Sequence, residues 1–192
     1  MRQITFKEYR NIDLAILAAI TLVFEVIATL AAAKWFPAQP IALSITVAMI
    51  CVVMMRWSGY AAIHAAVGGF AFCAASGATI EQVLVYCIGN VFALSALLLI
   101  RLWGKEQLRK DPFKRSMFAV TAYMGAVLGR WLVSLLFGGD LTALVVYATT
   151  DIISLLFAIL VLNILAKSEG MIEDQKTYLL RVQREKEENM SY

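Results

Sequence analysis

Charge in this chain is segregated. Of its 31 Asp, Glu, Lys and Arg residues, 24 fall in three segments: five in 1–13, eight in 101–115 and eleven in 167–192. Seven charges remain for the other 138 residues, which read as long apolar runs. The chain is 61% apolar and 16% charged, against about 45–50% and 25% for an average soluble protein. A water-soluble globule and a disordered chain are both excluded as expectations. So is a nucleic-acid-binding domain, because the basic residues sit in short loops and ends and not on a stripe of folded surface.

The runs have the length of membrane helices. Leu14 to Ala33 is 20 residues, about 30 Å at helical rise, which is the thickness of the hydrocarbon core. Ala31-Ala32-Ala33 before Lys34 has the form of a signal-peptidase site. The run exceeds a signal peptide's usual apolar region and holds Glu25, so the segment is expected to be retained. Pro37 and Pro40, Arg56 to Gly59, Gly77 to Thr79, Gly104 to Arg115 and Gly138 to Asp140 divide the rest. These breaks predict an all-α polytopic protein with six spans at about 14–33, 40–55, 60–76, 81–103, 116–137 and 141–166. The third is short and rich in small residues, with Gly68-Gly69 near its middle, as expected of a helix packed closely on its neighbours. Residues 167–192 form a charged tail with a partial apolar stripe, Met171, Ile172, Tyr178, Leu179 and Val182. It reads as a solvated or membrane-lying extension, or alternatively as a partner contact.

With six spans, 15 of the 17 Lys and Arg residues fall on one side. Both termini are therefore expected in the cytoplasm.

Three ionisable residues lie inside spans, where each costs about 2.5–3.5 kcal/mol on insertion scales and marks a functional candidate. Glu25 is about eight residues below Ala33, Arg130 about seven below Phe137 and Asp151 about ten below Leu141, roughly 10–15 Å in each case. Three helices thus bring their ionisable groups to one level in the outer half. Tyr86, Asn90, Ser44, Thr46, Thr149 and Thr150 reach the same level. A small polar ligand with an aromatic or heterocyclic ring fits such a site: Arg130 offers planar donors, Trp131 a stacking surface, and the two acids accept hydrogen bonds. The plainer reading is that Arg130 pairs with one acid and braces the bundle. Trp35 and Phe36, at the outer mouth, are interface aromatics or a lid. His64, near the cytoplasmic end of the third span, reads as a packing residue.

Gly125-x-x-x-Gly129 and Ala15-x-x-x-Ala19 are small-residue patterns that permit close helix approach. Cys51, Cys73 and Cys87 have no metal or redox spacing, so no metal and no cofactor are expected. Phosphate loops, zinc-protease helices and nucleophile elbows are missing from the sequence, so an enzyme is not expected.

With about 190 residues, six helices, a short small-residue third span, cytoplasmic ends and Ala15-Ile16-Leu17-Ala18-Ala19 in the first helix, the chain resembles the substrate-binding S components of energy-coupling factor (ECF) vitamin transporters. The resemblance covers almost the entire chain. It implies a bacterial plasma-membrane protein that binds a vitamin-like micronutrient near the outer face and delivers it inward by toppling. Two separate ATPase subunits supply the energy, and Ala15 and Ala19 face the transmembrane coupling subunit. Tyr86, Asn90, Arg130, Trp131 and Asp151 fall where the family binds its ligand, and depth adds Glu25. Alternatives are a non-transporting membrane scaffold of MreD-like shape and an integral-membrane enzyme of lipid or isoprenoid metabolism. The latter calls for an acidic metal cluster at the cytoplasmic interface, where this chain has a basic loop.

Overall fold

The first helix is apolar outside and polar inside. In the computed structural model, which describes residues 5–37 and 42–190, helix α1 (Phe6–Trp35) starts from a capping box. The Thr5 hydroxyl accepts from Glu8 N–H, and the Glu8 carboxylate accepts from Thr5 N–H at 2.8 Å, so two otherwise unpaired donors are satisfied. Its buried positions are Thr21, Glu25, Thr29 and Ala32, one face at helical spacing, while Ile12, Ile16, Ile20, Phe24, Ile27 and Leu30 are exposed. Such an inversion suits a helix whose surroundings are hydrocarbon.

Helix α2 (Thr46–Trp57) is the core of the bundle, with every residue but Met49 buried. It ends at Ser58, whose positive φ of 55° turns the chain through a short 3-10 segment into α3 (Ala61–Ser76). The two helices fold back on each other. A Cβ on Gly68 would lie 2.3 Å from the Thr46 hydroxyl, so only glycine permits this approach. Helix α4 (Ile80–Gly89) follows a Thr79/Gln82 capping box, continues as a seven-residue 3-10 stretch, Asn90–Ala96, and resumes as α5 (Leu97–Trp103). Helix α6 (Lys105–Lys110) is short, and α7 (Pro112–Ser134) is capped by Asp111 with proline in its first turn. Gly125 and Gly129 of α7 pack inside the bundle: a Cβ on Gly129 would lie 2.2 Å from the Gly89 carbonyl, and one on Gly125 2.4 Å from that of Phe92. The last apolar run is broken at Asp151 into α8 (Leu141–Thr150) and α9 (Ile152–Leu165), bent by 45°.

The architecture is all-helical, with no strand among the described residues. Phe6–Trp35, Thr46–Ser76, Ile80–Trp103 and Pro112–Phe137 are long and apolar enough to cross a membrane, and the bent α8–α9 pair counts as a fifth where its two halves are taken as one span. The 31-residue Thr46–Ser76 run is the α2–α3 hairpin, and neither arm alone reaches 20 residues. Residues 38–41, Pro40 among them, lie outside the described residues.

The three charge-rich segments meet at one end of the bundle. Arg56 makes a two-pronged pair with Asp13 at 2.7 and 3.0 Å and donates to the carbonyls of Gly170 and Met171. Lys105 pairs with Asp174 at 2.6 Å, and Glu173 receives Arg109 and Arg181. Ile172 and Gln175 are buried, and Tyr9 Oη donates to Gln175. The start of the tail is therefore docked on the bundle and leads into α10 (Gln175–Met190). The docked part of the tail is its start, residues 170–175, while α10 beyond Gln175 is largely exposed.

Candidate functional site

Asp151, Arg130 and Asn90 form one buried cluster, between 1% and 3% exposed. Arg130 pairs with Asp151 through Nη1 and donates from Nε to Asn90 Oδ1 at 2.7 Å. Asn90 in turn donates to the Ala65 carbonyl. The guanidinium lies 4.6 Å from the centre of the Tyr86 ring, a cation–π contact. Tyr86 is stacked by Phe72 at 4.8 Å and meets Tyr147 edge-on at 5.9 Å. Irregular backbone on two elements builds this arrangement: Asn90 opens the 3-10 stretch and Asp151 sits at the α8–α9 break.

Glu25 is held differently. Residues 42–45 approach α2 without helical structure, and three of their N–H groups find side-chain and carbonyl partners. Ala42 donates to Thr150 O, Ser44 to Ser154 Oγ and Ile45 to Glu25 Oε2 at 2.9 Å. Thr46 Oγ1 also donates to Glu25 Oε2 at 2.8 Å. The carboxylate therefore sits at the α2 N-terminus, where unpaired N–H groups and the helix dipole favour negative charge. This explains why Arg130 is left to Asp151. Glu25 Oε1 has no hydrogen-bond partner.

The cluster leaves no room for a water-sized molecule among Ser44, Thr46, Phe72, Tyr86, Asn90, Arg130 and Asp151. Above it lies a funnel of about 730 Å³, within the range of small-molecule sites. Its walls come from the ends of α1 and α3 and the starts of α4 and α8, opposite the charged end. Phe72 and Tyr86 line both spaces, so these rings separate the funnel from the charges. Thr29, Gln82, Tyr147 and Thr150 also line the funnel.

Of the residues singled out in the sequence, Tyr86, Asn90, Arg130 and Asp151 are brought together, with Ser44 and Thr46, and Glu25 joins them through Thr46. Trp131 stands apart: its Nε1–H donates to the Asp140 carbonyl at 3.1 Å. One helical position turns a side chain by about 100°, enough to carry it away from Arg130. Thr149 is exposed and bonded within its own helix. Phe36 lines the funnel, whereas Trp35 is 68% exposed and does not. His64 is buried and meets the Leu14 carbonyl at 3.1 Å, about 16 Å along α1 from Glu25 by helical rise. Ala15 and Ala19 are exposed on the outward side of α1. Thr29, Phe72, Gln82 and Tyr147 are funnel residues that the sequence reading passed over. The Thr21–Glu25–Thr29 spacing was the available signal for Thr29.

A second cleft, of about 330 Å³ at the charged end, is lined by Lys105, Arg109, Glu173, Asp174 and Arg181, which pair with one another. Among the described residues no group of His, Cys, Asp and Glu has the spacing to hold a metal ion. Comparison with protein families, curated proteins and solved structures finds no match.

Proposed function

We propose that this protein binds a small vitamin-like molecule in the funnel and delivers it inward, as the S component of an ECF-type importer. The observation that carries the reading is a funnel of ligand size that opens at the end opposite the charged segments, with its floor at the level of Glu25, Arg130 and Asp151. In this reading the α2–α3 hairpin and the bent α8–α9 pair each complete the crossing, giving six spans in a bacterial plasma membrane. The charged end with both termini is cytoplasmic, in line with the basic excess there. Ala15 and Ala19, exposed on α1, are the contact for a transmembrane coupling subunit. ATP hydrolysis belongs to two partner ATPases, and the chain itself carries out no catalysis.

The test is a fluorescence titration of the purified protein against a panel of vitamins and their precursors, together with affinity purification from its native membrane. Tight, saturable binding of one compound and co-purification of an ATPase pair are expected. Failure of every compound, with no ATPase recovered, overturns the reading in favour of a scaffold.

A further inference from the structure

The wall of the funnel contains no charged side chain among the described residues. Its hydroxyl and amide groups are mostly engaged already. Thr150 donates to Val146 O and Ser76 to Cys73 O, while Gln82 Oε1 accepts from Thr79 N–H. Thr29 differs. It is 6% exposed and lines the funnel, yet its Oγ1 has no hydrogen-bond partner, although Thr21 two turns earlier donates to its own helix at Leu17 O. A buried hydroxyl without a partner carries a cost that a ligand group can relieve. Across the funnel, Phe72, Tyr86 and Tyr147 supply a rigid aromatic surface. The charge of Arg130, behind that surface, is neutralised by Asp151. An ionised ligand would meet a wall with no charged side chain to pair with, which is expensive.

We propose that the funnel takes an uncharged, flat ring compound, held against Phe72, Tyr86 and Tyr147 and hydrogen-bonded to Thr29 Oγ1, which is shielded from solvent in this structure and turns about its Cα–Cβ bond to meet the ligand, and that it rejects phosphorylated or otherwise ionised relatives. The inference rests on the ligand-binding reading above and narrows it to a chemical class.

The experiment uses the full chain in lipid nanodiscs with matched probes: riboflavin and its 5′-phosphate, pyridoxine and pyridoxal 5′-phosphate, nicotinamide and nicotinate, and the thiamine cation. Calorimetry and thermal shift are read for the native protein, Thr29→Val, Thr29→Ser and, as a control, Thr21→Val. A neutral probe is expected to bind on the order of 100-fold or more tightly than its ionised partner, as desolvating an unpaired charge requires. Thr29→Val loses about tenfold in affinity with a melting temperature equal to or above that of the native protein, because its hydroxyl supports nothing in the free protein and its burial is a cost. Thr29→Ser restores binding and Thr21→Val leaves it intact. Equal or tighter binding of an ionised probe overturns the inference while leaving the binding function standing. So does a Thr29→Val protein that binds like the native one. If no probe binds at millimolar concentration, the inference falls together with the reading beneath it.

Discussion

The two ends of the bundle hold their charges by opposite means. At the charged end, Asp13, Arg56, Lys105, Arg109, Glu173, Asp174 and Arg181 form a chain of pairs that water reaches, each acid matched by at least one base. Buried in the other half are two acids and one base, Glu25, Asp151 and Arg130, all within 3% exposure. One acid takes the base, and the other is held by the N-terminus of a helix. The first arrangement is a clasp between segments distant in sequence. The second is a sealed cluster in which every donor counts, since no solvent stands ready to replace a lost partner.

The sharpest way to break this contrast is to remove one partner of each pair. Arg130→Met is expected to destabilise the protein by about 3–5 kcal/mol, because Asp151 is left buried without its cation. The double variant Arg130→Met/Asp151→Leu recovers most of that loss. Thermal unfolding in a single detergent checks both, and a single variant as stable as the double would show that the cluster is not sealed. Arg56→Met is expected to cost less, about 1.5–3 kcal/mol, the range for hydrogen bonds to a charged group. It also loosens the Gly170 and Met171 carbonyls, seen as faster amide exchange at the start of the tail. A loss equal to that of Arg130→Met would erase the distinction between the two ends. Lys105→Met lies at the bottom of the scale, at about 0–1 kcal/mol for a pair this accessible.

The same pair sets a pH dependence. Burial acts to raise the Asp174 carboxyl, but hydrogen bonding and charge from Lys105, with bonds from Thr177, hold it below its ordinary value of 3.8. A carboxyl lowered in the folded state contributes stability in full above its unfolded value and loses it as pH falls through the folded one. Tail protection is therefore expected to stay constant from pH 8 to 5 and to weaken only below about pH 3.8. Proteolysis of α10 across that range measures it. Release near neutrality would mean that a group other than Asp174 governs the pH response of the tail.

Much of this was legible in the sequence, and for a definite reason. Depth arithmetic along straight helices placed Arg130 and Asp151 at one level, where they do pair. It does not reveal which groups become partners where the backbone is irregular. Nothing in the composition around Pro40 marks residues 42–45 as an irregular approach that ends with the Ile45 N–H and the Thr46 hydroxyl on Glu25. The break at Asp151 has no proline or glycine to announce it. Trp131 shows the limit of adjacency, since neighbours on a helix face different directions. Thr29 was overlooked because a threonine in an apolar run is unremarkable until its hydroxyl is found without a partner.

The shortness of α2 also bears on the bilayer. At 12 residues it spans about 18 Å, well below the roughly 30 Å of a hydrocarbon core. Hydrophobic mismatch is a cost levied where a helix meets lipid, and α2 is wrapped by α1, α3, α7 and α9. It is therefore released from the length rule that governs the outer helices. Of the irregular residues 42–45 that precede it, Ala42, Ser44 and Ile45 donate their N–H groups to protein acceptors, as backbone shielded from water requires. Bilayer thickness should thus tune the tilt of α1 and α7 while leaving α2 and the cluster at its N-terminus unmoved.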